Sequence, residues 1–266
     1  MGITSIARQY FLHRGQMLQK MGEPDLVLSF IERFKSKLVP VDLIRIGGDA
    51  DGGYLVPDDM DGIASCFSPG VDYTATFENA LASDYGIKCF MADASVEKPP
   101  LDNALFDFDA KFLGSRDEGI NTTLSSWIAQ KHPENAGDML LQMDIEGFEY
   151  DVLVETPSAV LRQFRTMIIE FHGFDKLFDR EFLRFANATF EKLYKDFSIA
   201  HVHPNNCCGI ARYHGVEIPR VFEVTFIRND RIATCQAKGP VVLPHALDRK
   251  NLASEADIVM PDIWWK

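Results

Sequence analysis

Three carboxylates crowd one glycine in the stretch Leu140-Leu141-Gln142-Met143-Asp144-Ile145-Glu146-Gly147-Phe148-Glu149, directly after an apolar run that reads as a buried strand. Acids at a strand mouth lose hydration, a cost offset only by cations, metals or hydrogen-bond donors. The next apolar run, Met167-Ile168-Ile169-Glu170-Phe171-His172-Gly173, ends with Glu170 and His172 two residues apart. Side chains at that spacing share one face of a strand, so both are directed at the crevice that holds Asp144. A third run closes on His201-Val202-His203-Pro204-Asn205-Asn206, again with two histidines on one face. Asp144, Glu170, His172 and His203 therefore read either as a divalent-metal site of hard and imidazole ligands or as a general-base cluster around a hydroxyl. The alternative without chemistry is a buried hydrogen-bonded network.

A second set of residues suits a ligand rather than a reaction. Ser68-Pro69-Gly70-Val71-Asp72 follows a short apolar run and precedes a helical segment with Phe77 and Glu78. A glycine there lets the backbone approach a ligand, and the helix start offers free N–H groups to a carboxylate. With one clear glycine the turn is no dinucleotide fingerprint. About 20 residues further on, after the next run, come Asp93 and Ser95, where an acid can accept hydrogen bonds from both hydroxyls of a ribose. An Asp at a strand end also simply caps a turn.

These residues need elements to hold them. Residues 3–38 show helical spacing broken at 22–25, where Asp25 can cap a second helix, and 43–46 with 54–56 flank a glycine loop as a hairpin. From residue 63, apolar runs at 63–67, 88–91, 106–113, 139–143, 166–171, 197–203 and 220–228 alternate with helical segments at 76–85, 124–131, 150–164 and 180–194. The alternation predicts βαβ units in a mostly parallel, three-layer α/β fold whose final strands are free to pair antiparallel. Ligands in such sheets sit outside the carboxyl ends of the strands, where the polar residues above fall. The expected organisation is helices and hairpin over 1–62, the α/β core over 63–230, and a tail over 231–266 that wraps the surface and ends in Trp264-Trp265.

With 266 residues, 46% hydrophobic and 25% charged, the chain is an ordinary globular protein, and its net charge of −12 argues against a nucleic-acid partner. No apolar run approaches the ~20 residues of a membrane span. No signal peptide is expected, and five cysteines in a chain of this size fit a reducing cytoplasm. The adjacent Cys207 and Cys208 lack the spacer of a thiolate metal knuckle.

The chain resembles the FkbM-type S-adenosylmethionine-dependent methyltransferases. The resemblance rests on Asp51-Gly52-Gly53-Tyr54, the 68–72 turn with Phe77-Glu78, Asp144-Ile145-Glu146-Gly147-Phe148-Glu149, Ile169-Glu170-Phe171-His172 and the 201–206 knot. It covers residues 45–228. It implies a Rossmann-like class I methyltransferase with an antiparallel strand at the end of the sheet and an N-terminal helical extension. The implied activity is O-methylation of a sugar hydroxyl in polysaccharide or glycoconjugate biosynthesis, with a saccharide acceptor and S-adenosylmethionine as cofactor. By that likeness, Ser68, Gly70, Asp72 and Glu78 surround the methionine side of the cofactor. Asp93 holds the ribose, Ser95 is a further cofactor-binding residue, and Asp144 lies under the sulfonium with Glu146 nearby. Either His172 takes the acceptor proton, or a divalent metal ion on Asp144, Glu170, His172 and His203 lowers the hydroxyl pKa. The competing readings are a metal-dependent hydrolase on the same cluster and a non-catalytic partner protein held by its helical start and its Trp264-Trp265 end.

Overall fold

The computed structural model describes residues 3–16, 21–132 and 137–266, so residues 17–20 of the first helical stretch lie outside the described residues. In chain order the elements begin with α1 (Ile3–His13), α2 (Pro24–Lys35) and a hairpin of β1 (Leu43–Gly47) and β2 (Gly53–Pro57). They continue with β3 (Ile63–Pro69), α3 (Thr76–Tyr85), β4 (Lys88–Ala92), β5 (Phe106–Asp109), β6 (Phe112–Leu113), β7 (Asn121–Thr122) and α4 (Leu124–Lys131). The second half holds β8 (Asp138–Met143), α5 (Glu149–Glu155), α6 (Ser158–Leu161), β9 (Phe164–Phe171), α7 (Arg180–Leu193), β10 (Phe197–Pro204), β11 (Ile210–Tyr213), β12 (Val216–Pro219) and β13 (Phe222–Arg228).

A seven-stranded mixed sheet runs in the order β10-β13-β9-β8-β3-β4-β5. Pairs from β9 through β5 are parallel, and β13 is antiparallel to both β9 and β10. From β3 the chain steps outward to β4 and β5, then returns to β8 and β9 on the other side. The reversal opens a crevice beyond the carboxyl ends of β3 and β8. Strands β9 and β10 are buried along their whole lengths, their polar residues Arg165, Thr166, Glu170, Ser198, His201 and His203 included.

Local chemistry accounts for the departures from the expected elements. The helix anticipated over 150–164 is two helices, because Pro157 lacks a donor and pushes Thr156 to extended backbone. The run 106–113 divides into β5 and β6. Helix α2 starts two residues earlier than Asp25 would cap it: Glu23 is the N-cap and Pro24 occupies the first turn. Helix α7 follows the capping rule, with Asp179 accepting from the N–H groups of Glu181 and Phe182.

The larger core lies where α2, α7 and the C-terminal segment meet the sheet. Phe34, Phe174, Phe190, Phe222 and Trp264 are fully buried there, with Trp264 edge-on to Phe34 and its indole N–H donating to the Glu217 carbonyl. A smaller cluster, including Tyr54, Phe77, Leu81 and Ile168, fills the space between β2, α3 and the sheet. Cys207 and Cys208 are joined by a disulfide, and Cys66, Cys89 and Cys235 are free and buried. Among the described residues no helix is long and apolar enough to cross a membrane.

Candidate active site

The crevice holds a cavity of about 1270 Å³, lined by the turns after β3, β4 and β8, the end of β9, Asn205, Cys207 and Cys208, and Asn251-Leu252 from the C-terminal segment. Nine of its described lining residues are Asp or Glu, against Arg116 as the single arginine or lysine. Acids thus far outnumber the cationic side chains on the wall.

The loop after β8 is folded around one buried acid. Glu149, at the start of α5, is fully buried, and its Oε1 accepts from the backbone N–H groups of Ile145 (3.2 Å) and Gly147 (3.0 Å). Its other oxygen, Oε2, has no partner. The wrap forces Glu146 into the left-handed region at φ 56°, a conformation that costs a non-glycine residue roughly 1–3 kcal/mol. Across the crevice Gly70, at φ 84°, lies against the Asp144 carbonyl, and a Cβ at that position would collide with it. Gly70 is therefore required for β3 and β8 to close on each other.

At the end of β9, His172 Nδ1 lies 3.1 Å from Glu149 Oε1, while Nε2 faces Glu146 (3.4 Å), Glu170 (3.5 Å) and Asp144 (3.8 Å). Burial works against the imidazolium, but the Glu149 bond and the surrounding carboxylates outweigh it and raise the pKa above its ordinary value. Asp144 is driven the other way from a normal carboxylate. Burial first, then the charge of Glu170, push its carboxyl up to about 9, and its Oδ1 has no hydrogen-bond partner. Glu170 is raised as well, by burial and by the charge of Glu223, although Asn205 Nδ2 donates to both of its oxygens. Ligand atoms of Asp144, Glu149 and His172 all lie within 4.8 Å of one another.

The structure brings Gly70, Asp72, Glu78, Asp93, Ser95, Asp144, Glu146, Glu170 and His172 to the cavity wall. Asp93, at the end of β4, accepts from the Asp72 N–H on Oδ2 and from the Ser95 N–H and hydroxyl on Oδ1. Ser68 is not on the wall. It is fully buried behind it, its hydroxyl within hydrogen-bond distance of both the Glu78 carboxyl and Gln142 Oε1, and Gln142 Nε2 donates to the Tyr54 hydroxyl. His203 also stands apart. A register shift between Ile199 and His201 reorients β10, and His201 Nε2 (2.8 Å) and His203 Nδ1 (3.7 Å) both turn to Asp248 of the C-terminal segment. His203 therefore leaves the metal set expected from the sequence, and among the described residues the group close enough to share an ion is Asp144, Glu149 and His172. The loops at 173–179 and 209–215, where aromatic and planar side chains suggest acceptor contacts, do not line the cavity.

Four residues of the site carried no assigned role in the sequence: Glu149, Tyr54, Asn205 and Asn251. Glu149 lies within the acidic stretch, and its offset of five from Asp144 was the available signal. Asn251 gave none. Its Nδ2 donates to buried Glu223 at 2.8 Å, which leaves Oδ1 unpartnered beside the cavity.

No curated protein matches the chain. A solved structure of a variant of the 16S rRNA (adenine(1408)-N(1))-methyltransferase from Catenulisporales acidiphilia shares 9% identity, covering 71% of this chain and 98% of its own, at a TM-score of 0.32. A likeness that slight carries no argument here. The family comparison is specific: residues 82–196, from the last turn of α3 through β9 and α7, match the model described as the methyltransferase FkbM domain.

Proposed function

We propose that the protein is an S-adenosylmethionine-dependent O-methyltransferase of the Rossmann-like class I architecture, acting on a hydroxyl of a saccharide or glycoconjugate. The observation that carries this reading is Asp144, a buried carboxyl pushed up to about 9 that opens on a large cavity with nine acids to one arginine. Burial and like charges hold such a group neutral, and it ionises when a cation settles beside it. A sulfonium is a cation of that kind. The architecture is supported by the crevice at the β3/β8 reversal and by the antiparallel β13 inserted between β9 and β10. The FkbM domain favours methyl transfer over hydrolysis as the use of this cluster.

The residues present fit the cofactor. Gly70 and Asp72 would receive its methionine moiety, Asp93 its ribose hydroxyls, and Asp144 with Glu146 its charged centre. When bound, the cofactor supplies a methyl group already activated for transfer. What remains for the protein is to orient an oxygen and take its proton. Glu149 fixes the His172 ring through Nδ1, leaving Nε2 to face the open cavity. His172 serves as the base once it has shed its proton. Asn205, Asn251 and Glu170 offer the paired donors and acceptors that hydroxyls require.

A divalent ion is the second reading, favoured by the unpartnered buried Oε2 of Glu149 beside Asp144 and His172. Such an ion would lower the pKa of an acceptor hydroxyl by direct coordination. Two measurements test the proposal. Titration calorimetry should show S-adenosylmethionine binding in the micromolar range, and S-adenosylhomocysteine release should follow addition of one or more members of a panel of glycosides and nucleotide sugars. Absence of binding heat would sink the main reading, and full turnover in excess EDTA would remove the metal.

A further inference from the structure

Among the described residues, α1 is the one α-helix that shows no buried side chain. None of residues 5–16 is buried. Ile6, Ala7, Tyr10 and Phe11 fall along one side at helical spacing, opposite Ser5, Arg8 and Gln9, with Leu12 the one apolar residue on the polar side. Ile6, Tyr10 and Leu12 are 61%, 53% and 54% exposed. Among the described residues, three of the sixteen exposed large apolar side chains, Ile6, Tyr10 and Leu12, lie on this one eleven-residue helix. Scattered exposed apolar residues need no explanation, but a concentration on an unpacked helix does.

The charge of this segment identifies the partner. Residues 1–22 contain Arg8, Arg14 and Lys20 and no acidic residue, a charge of +3 within a chain of net −12, leaving −15 on the rest. The Arg14 guanidinium stands 5.2 Å over the Tyr10 ring, so a cation flanks the apolar side rather than opposing it. An apolar stripe with an interfacial aromatic, basic neighbours and no acid matches a surface that is apolar beneath and anionic above. We propose that α1 docks the protein on an anionic lipid bilayer, lying in the headgroup plane with Ile6, Tyr10 and Phe11 directed inward. Repulsion of the acidic body confines the contact to this helix and keeps it reversible.

The test uses the full-length chain and extruded vesicles. Co-sedimentation with POPC:POPG (3:1) vesicles at low salt should recover the protein, and POPC vesicles alone should not. Charge removal by R8Q and R14Q should weaken partitioning roughly fivefold for each arginine, and I6E with Y10E should abolish it. An unchanged melting temperature in these variants shows that the body stays folded, since the helix contributes nothing to the core. Equal recovery on both vesicle types, or recovery unaffected by I6E/Y10E, overturns the proposal. So does the absence of vesicle binding, including the case where light scattering finds a dimer that I6E/Y10E dissolves, which would assign the apolar side to a second copy.

Discussion

Two clusters of carboxylate and imidazole sit at the carboxyl ends of adjacent regions of one sheet, and they are built to opposite ends. Around His201 and His203, Asp248 is almost enclosed and accepts from His201 at 2.8 Å and from the His245 N–H at 2.7 Å. Burial would raise its carboxyl, but the two imidazoles win and hold it well below the usual carboxylate range, while His203 is raised by the same pairing. Around His172 there are too many acids for one base. Asp144 and Glu170 are pushed up, Asp144 Oδ1 and Glu149 Oε2 lack donors, and the whole group faces a cavity. The first cluster is satisfied from within and ties the C-terminal segment to β10. The second can be satisfied only from outside, which is the physical mark of a site.

The widest separation between the clusters should appear in turnover. His172→Asn is expected to lower kcat by about 10²–10⁴-fold, the usual reach of a general base, with cofactor affinity within a few-fold of wild type by calorimetry. His203→Asn should leave kcat nearly unchanged. Comparable losses in both variants, read as S-adenosylhomocysteine release, would erase the distinction.

Stability should separate them with the opposite sign. Asp248→Asn breaks a nearly enclosed pair and is expected to cost about 3–5 kcal/mol in urea unfolding. Asp144→Asn removes an unpaired buried acid and should instead raise the melting temperature of the ligand-free protein, by roughly 2–4 °C for each kcal/mol gained.

The pH dependence sharpens the same contrast. Asp144 has a folded pKa above its unfolded value, so its contribution is fully present below pH 3.8 and is lost as pH rises toward about 9. Asp248 has a depressed folded pKa, so its contribution holds at neutral pH and is lost as pH falls below 3.8. Asp144→Asn should flatten the alkaline side of the melting-temperature profile, and Asp248→Asn the acid side. In turnover, the rate should rise with pH through a value above 6.5, because His172 is raised and must shed its proton to act as a base.

The smallest signal is the most specific. Binding of a sulfonium beside neutral Asp144 should release up to about one proton at pH 7, detected as a buffer-dependent heat in calorimetry. The neutral thioether S-adenosylhomocysteine should release less, and Asp144→Asn should abolish the difference between the two. If both ligands give the same proton count in wild type, Asp144 does not sense the charge.

The sequence alone determined the alternation of strands and helices, because apolar periodicity follows directly from burial of one or both faces. It also placed Asp144, Glu170 and His172 in one crevice, because strand ends converge once the sheet is parallel. It exposed the acidic stretch through Glu149 as chemically costly. Only the tertiary structure decided that Glu149 is the residue that grips His172, since its loop must coil through a left-handed Glu146 to deliver it. Only the structure removed His203 and admitted Asn251, because both outcomes depend on where a segment about 50 residues beyond β10 packs, and no local pattern encodes that contact. Periodicity reports what each element buries; which polar groups find partners is settled by long-range packing, and at this site the unpartnered groups are the informative ones.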